Sequence, residues 1–430
     1  MSSYSSSLFQ PPTLVPLFDM KFFRLQGDLV VWAIFFFLSV ISLVEVYSAG
    51  SFLALKEGSF WSPLLHHGLF LLLAAVAAFC IHNFPCRLFK LIPIFGFPTI
   101  VFMLFYVLVA GANLNNGARW IPLGPFSFQP SELAKGIVVT TVALILSTSQ
   151  GEKTANKKAI IPILSITFII TVLIVTQNFS TAALIGFVVF LMMVVGRIPR
   201  KQLLITTLVV GALGGVFYLG LKALPADPDD PIYEGRALQR FSTWRSRLDG
   251  KHMVITPDPH DFVVTDKNRQ VVHARIAMAR AHGTGVAPGR SVQRDFLSAA
   301  YSDFIFAIIG EELGLPGCLF VVVLYLTLLF RVGRIASRCE HNFPAFLAMG
   351  LGLLLVVQAL LNMLVAVGVG PVTGQTLPLI SKGGTSTIIT GVYFGMILSV
   401  SRSARRKDMS PLHSLAKEPN KITSEAFTQA

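Results

Sequence analysis

Ala300-Tyr301-Ser302-Asp303-Phe304-Ile305-Phe306-Ala307-Ile308-Ile309-Gly310-Glu311-Glu312 sets a carboxylate at the mouth of an apolar run that continues to about residue 330. A run of that length crosses a bilayer as a helix, because lipid offers the backbone no hydrogen-bond partners outside the helix itself. An acidic side chain there costs up to about 2.5–3.5 kcal/mol on insertion scales at the bilayer centre, and less toward the interface. Such a residue marks a functional site by default, and Asp303 is the first candidate.

The same apolar pattern recurs along the chain, near residues 29–49, 64–83, 91–110, 131–148, 159–176, 180–196, 202–221, 303–330, 345–367 and 385–401. It predicts an all-α polytopic membrane protein of about ten transmembrane helices. Composition agrees: 53% hydrophobic and 13% charged residues with a mean hydropathy of +0.67 exclude an ordinary soluble domain. Residues 1–28 lack the basic-then-apolar stretch and small-residue cleavage site of a signal peptide, so the first span reads as a retained anchor.

Lys and Arg are retained on the cytoplasmic side of membrane proteins. Here they gather in alternate connections: Lys21 and Arg24; Arg87 and Lys90; Lys153, Lys157 and Lys158; Arg197, Arg200 and Lys201; Arg331, Arg334 and Arg338; then Arg402 to Lys407, Lys417 and Lys421. The short connections on the other side hold only Lys56, Arg119 and Lys382. Both termini are therefore expected on the cytoplasmic side. Residues 1–28 form an N-terminal segment and 29–401 the ten-helix domain. Residues 222–302 form a large extracytoplasmic loop between the seventh and eighth helices, and 402–430 a basic, disordered tail. The net charge of +13 expresses this bias and attraction to membrane lipid, and implies no nucleic acid. The four cysteines form no CxxC pair and lack clustered histidines, so neither a disulfide framework nor a metal site is expected.

The 222–302 segment greatly exceeds ordinary loop lengths, which makes it functional or disordered. An acidic, proline-rich turn at 225–231 leads to a basic-aromatic stretch containing Arg240, Trp244 and Arg245. Helical spacing returns near Val271 to Ala281, and glycines then break it ahead of Gln293 and Asp303.

Four polar clusters fall at the outer ends of spans. The first runs from Gly117 through Arg119 and Trp120 to Gln129, Pro130, Ser131, Glu132 and Lys135. Pro130 suits a first helical turn, and Glu132 and Lys135 share a helical face. They form either a structural ion pair or part of a binding site, while Arg119 and Trp120 suit an interfacial anchor as well as a sugar or phosphate. The second, Gln177-Asn178-Phe179-Ser180-Thr181, reads as a capped turn opening a helix at Ser180.

The third is Asp303 with Gln293. Glu311 lies about 12 Å along the helix axis, beyond the roughly 9.5 Å limit of paired glycosidase carboxylates. Asp303 thus acts alone, as general base or metal ligand, or else only complements a helix dipole. Glu311 and Glu312 read as packing or gating residues. The fourth, Gly374 to Ser386, includes Ser381, Lys382, Gly383 and Gly384. It reads as an anion cradle with a point charge at Lys382 or as a flexible hairpin.

These clusters, as GARW…FQPSELAK at 117–135, SVQRDFLSAAYSDFIFAIIGEELG at 291–314 and PVTGQTLPLISKGGTS at 371–386, resemble the SEDS family of cell-wall polymerases, its septal-division branch more than its elongation branch. The resemblance covers about residues 30–405. It implies a peptidoglycan glycosyltransferase that polymerises lipid II, a disaccharide-peptide on undecaprenyl diphosphate, at the outer face of the bacterial cytoplasmic (inner) membrane during septal wall synthesis. Asp303 matches the family's essential aspartate and would be the general base. Arg119, Lys135, Lys382 and Arg240 are candidate diphosphate ligands, with Trp120, Gln129, Ser131, Glu132, Gln293, Ser381, Gly383 and Gly384 lining the substrate site. A divalent cation, Mg or Mn, could assist.

The implied partners are a class B penicillin-binding protein and other divisome proteins. The sequence departs from the commoner pattern at Tyr301-Ser302, where many members have His-Thr, and at Asn178, often aspartate. Lys382 stands where tyrosine is usual, so its phosphate role follows from its charge and not from the family. The competing functions are a lipid II flippase, a noncatalytic scaffold and an elongation polymerase. Clustering of polar residues in the outer half argues against the flippase, as does the lack of an internal repeat.

Overall fold

The computed structural model describes residues 25–50, 61–110, 112–114, 117–123, 126–152, 154–225, 241–242, 244–245, 264, 268–281, 283–297, 300–369 and 373–417. Its helices are α1 (Leu29–Ala49), α2 (Ser62–Ile81), α3 (Phe97–Ala110), α4 (Pro130–Thr148), α5 (Ile160–Val175), α6 (Phe179–Val195), α7 (Arg200–Ala223), α8 (Arg269–Ala279), α9 (Ile305–Ser337), α10 (Asn342–Ala366) and α11 (Thr385–Lys417). Among the described residues nine helices are long and apolar enough to cross a membrane. The expected tenth is α6, whose 17 residues reach about 25 Å at 1.5 Å per residue. The span ending in α3 begins at Cys86 as a 3-10 turn and a π turn before turning α-helical. Pro93 and Pro98 withhold amide hydrogens there, which accounts for the irregular start.

The fold departs from the sequence reading in three places. Three short antiparallel strands, β1 (Ala112–Leu114), β2 (Gly117–Leu123) and β3 (Phe126–Phe128), join α3 to α4 in the order β1-β2-β3, a small sheet that the sequence reading does not predict. Asn178, not Ser180, caps α6: its Oδ1 accepts the Thr181 amide at 3.2 Å. The tail expected to be disordered from residue 402 is helical as far as Lys417, because extending an existing helix by one residue avoids the cost of nucleation. Residues 1–24 and 418–430 lie outside the described residues. In the 222–302 segment the predicted helix appears as α8.

Two devices fix the bundle. Asp28 caps α1, accepting the Val30 and Val31 amides at 2.9 and 3.3 Å, and its other oxygen receives Arg331 Nε of α9 at 2.6 Å. Toward the opposite end α9 breaks at Gly314, whose φ is +70°, and Pro316 two residues on has no amide hydrogen. The break frees the carbonyls of Glu311 and Glu312, which accept the amides of Val286 and Ala287 at 2.9 Å each. This hairpin crosses so closely that a Cβ at Gly285 would lie 2.4 Å from the Glu312 carbonyl oxygen. Non-helical backbone at such depth is tolerated because protein buries it.

The two glutamate side chains, both 0% exposed, complete the latch. Glu311 accepts the Ser291 hydroxyl at 2.5 Å, the Val292 amide at 3.3 Å and the Gln293 amide at 3.2 Å. Glu312 accepts the Gly289 and Ser291 amides at 3.0 and 3.1 Å and the Ser48 hydroxyl of α1. Their expected packing role thus takes a definite form, since they bind the outer segment to α9.

Candidate active site

Three of the four polar clusters converge beside α10. That helix carries two polar residues one turn apart, Gln358 and Asn362, on one face of an apolar span. Asn362 Nδ2 donates to the Asp303 carbonyl at 2.9 Å and to the Gln375 carbonyl at 2.7 Å. Gln358 Nε2 donates to the Thr376 carbonyl at 2.9 Å, and its Oε1 receives Lys135 Nζ at 2.6 Å. Gln375 Nε2 reaches Thr181 Oγ1 of α6 at 2.8 Å, which ties in the remaining cluster. These α10 residues were not among the sequence candidates, although paired amides four apart in an apolar run were a readable signal.

The loop before α11 is built to hold a fixed shape. Leu379 has φ of +66° and Gly374 +63°, and a non-glycine residue in that region persists only when its surroundings impose it. Ser381 does part of the imposing: its hydroxyl donates to the Ser302 carbonyl at 2.6 Å and accepts the Leu377 amide at 2.8 Å. Lys382 adds a backbone bond to the Tyr301 carbonyl at 2.9 Å. From the α1–α2 side, Ser42 donates to the Ile380 carbonyl at 2.7 Å and meets His67 Nε2 at 2.6 Å. The turn bearing Asp303 and the loop bearing Lys382 are therefore one bonded unit.

Within that unit Asp303 is half-buried immediately ahead of α9, and a Cβ at Gly374 would stand 3.7 Å from its Oδ2. Lys382 is likewise half-buried, with Nζ 5.8 Å from the centre of the Tyr301 ring. Burial, and then the Asp303 charge, push the Tyr301 phenol above its ordinary range, so it is a neutral hydroxyl at physiological pH. A half-exposed carboxylate, a half-exposed ammonium and a protonated phenol thus share one rim.

The other sequence candidates separate into distinct groups. Lys135 is 1% exposed, and its charge is held by Glu132 at 2.8 Å as well as by Gln358; this corrects its assignment as a diphosphate ligand. Ser131 is buried and accepts Gln129 Nε2 at 3.1 Å. Tyr393 secures this helix start, donating to the Glu132 carbonyl at 2.6 Å and accepting the Gly136 amide at 3.0 Å. Gln293 is buried in the latch, its Oε1 2.7 Å from His273 Nδ1, so it supports the outer segment instead of facing Asp303.

Gly383 and Gly384 open α11 beside Lys382, and Thr385 ties that start to the Ser127 carbonyl of the sheet at 3.0 Å. Trp120 is half-buried on β2, where it pairs with Ala112. Arg119 is placed by the backbone of the same strand, and Arg240 lies outside the described residues.

Fold and site together define a helical membrane protein with a polar network built around α10. Residues 28–406 match the family model described as "Cell cycle protein", that of FtsW, RodA and SpoVE, and the chain belongs to this family. It is 31% identical to a "Probable peptidoglycan glycosyltransferase FtsW" of Nitrosococcus halophilus, over 88% of this chain and 93% of that one. It is 29% identical to the protein of the same name from Nitrosomonas europaea, over 85% and 90%. Among solved structures, a chain from a peptidoglycan synthase complex, in a study of how polymerization and crosslinking are coordinated, aligns with TM-score 0.68 and 25% identity over 89% of this chain and 99% of that one. The rod shape determining protein RodA of Thermus thermophilus aligns with TM-score 0.60 and 23% identity over 88% and 97%, a likeness of fold.

Proposed function

We propose that this protein is a peptidoglycan glycosyltransferase that polymerises lipid II at the outer face of the cytoplasmic membrane during septal wall synthesis. The observation that carries the reading is Asp303, a carboxylate left half-exposed while Glu132, Glu311 and Glu312 are buried in fixed partnerships. Asp303 takes the proton from the acceptor sugar 4-hydroxyl as that oxygen attacks the donor's anomeric carbon, and the undecaprenyl diphosphate departs. General-base assistance of this kind contributes on the order of 10²–10⁴-fold. Lys382 and the Tyr301 hydroxyl are placed to receive the charge that develops on the leaving group, usually the larger contribution. Asn362, Ser381 and the Glu132–Lys135–Gln358 chain hold the rim in position.

A divalent cation, Mg or Mn, enters this reading only as a companion of the diphosphate. Among the described residues no group of three or more His, Cys, Asp or Glu side chains could hold a metal. Outward placement of the rim is supported by the basic residues at the other end of the bundle, where Arg331 binds Asp28 and Arg402 reaches the Asn83 carbonyl at 2.9 Å. Both termini then lie in the cytoplasm. A class B penicillin-binding protein is the proposed partner, on the strength of the aligned synthase complex, and other divisome proteins follow from the septal role.

The test is polymerisation of purified lipid II by the chain with that partner. Asp303→Asn should make no glycan above background while folding normally, whereas glycan chains made equally well by the variant would remove the base assignment. A fluorescent fusion that follows the lateral wall instead of the septum would replace the septal role with an elongation one.

A further inference from the structure

A groove between α1 and α2 lies outside the site described above. Two adjoining cavities form it, of about 680 Å³ and about 640 Å³, sharing Leu43, Gly68 and Leu72. Its walls are almost wholly apolar. One end reaches Tyr47, Ser48 and the Pro288-Gly289 tip of the latched hairpin, and the other reaches Leu25 and Trp32.

The ends can be placed in a bilayer. Tyr47 and Trp61 are both exposed, with ring centres 6.2 Å apart, and amphipathic aromatics of this kind mark the membrane–water interface. Trp32 plays the same part at the far end. From Trp32 to Tyr47 the helix rises about 22 Å, while one leaflet supplies only half of a hydrocarbon core of about 30 Å. The groove therefore accommodates a chain that passes the midplane, longer than the acyl tails of one leaflet.

A cation stands at the interfacial end. Arg294 Nη1 donates to the Ser48 carbonyl at 3.2 Å and the Ser48 hydroxyl at 3.0 Å, and Nε has no hydrogen-bond partner among the described residues. Its acidic neighbours are Asp295 at 3.7 Å and Glu312 at 3.9 Å, the latter already accepting two amides and a hydroxyl. The guanidinium, 20% exposed, brings to this end a planar positive charge that matches phosphate geometry. The groove also adjoins the rim: Ser42, next in sequence to the groove residue Leu43, donates to the Ile380 carbonyl two residues before Lys382 and meets His67, next to the groove residue Gly68.

We propose that the α1–α2 groove seats the polyprenyl chain of a lipid-linked diphosphate substrate, with Arg294 at the level of its phosphates. The proposal rests on the glycosyltransferase reading for the identity of the lipid. The experiment measures retention of undecaprenyl diphosphate by the full chain in nanodiscs, by native mass spectrometry. A Cβ at Gly68 meets only Leu43 Cδ2, at 3.8 Å, so Gly68→Trp fills the groove without displacing backbone, and the lipid-facing Leu72→Trp fills it independently. Each should lower retention about tenfold or more, undecaprenol should bind about tenfold more weakly than the diphosphate, and phosphatidylglycerol at equal concentration should not compete.

Wild-type retention in both tryptophan variants, or equal competition by phosphatidylglycerol, would overturn the proposal. Equal binding of undecaprenol would overturn the role of Arg294. Groove-dependent binding by a wild-type complex that makes no glycan would instead sink the glycosyltransferase reading and leave the groove standing.

Discussion

The Glu132–Lys135 pair and the Asp303–Lys382 rim contain the same two chemical groups put to opposite uses. The first pair is buried, closed at 2.8 Å and joined to Gln358. The second keeps both groups half-buried on a loop and turn that other residues hold rigid. The buried pair is fixed by its side-chain partners, whereas backbone bonds of the turn and the loop place the half-buried groups of the second. The same two chemical groups thus differ here in their degree of exposure.

The sharpest break of that contrast is chemical. Asp303→Asn should lower lipid II polymerisation by at least about 10²-fold with an unchanged melting temperature, as read by glycan gels beside thermal unfolding. At the buried pair the effect should be structural and large. Lys135→Met strands Glu132 and should cost about 3–5 kcal/mol, while the double variant Glu132→Gln/Lys135→Met should recover much of that loss. Unfolding in detergent measures both, and equal loss in single and double variants would show that the stranded Glu132 charge is not the cause. Lys382→Ala should lower kcat and kcat/KM together by about tenfold, with Lys382→Arg partly restoring both.

The smallest effect concerns pH. The Tyr301 phenol is raised above its ordinary value of 10.0, so the folded state holds its proton where the unfolded chain has lost it. The stability this lends is complete below that ordinary value and declines as pH rises through the folded one. Tyr301→Phe should flatten this alkaline loss, as seen in melting curves taken from neutral to strongly alkaline pH.

Hydropathy alone disclosed the spans and the place of Asp303, because lipid imposes length and composition on every crossing segment. The polar partnerships were not legible in the same way. Lys135 and Lys382 look alike in sequence, and only the packing of α10 against α4 commits one of them to Gln358. Gln293 stands ten residues before Asp303 and invited a shared role, yet the hairpin turns it toward His273. The sheet escaped notice because its strands are only three to seven residues long, too short for alternation to emerge from an apolar background. The latch was hidden for another reason. Glu311 and Glu312 find their acceptor roles only where Gly314 and Pro316 interrupt the helix ladder.

That interruption makes α9 a shared mount. The 283–293 hairpin is bolted at Glu311 and Glu312, two turns beyond the turn that carries Asp303, so hairpin and turn share one mount. A displacement of the hairpin is therefore carried along the same helix to the turn that bears Asp303.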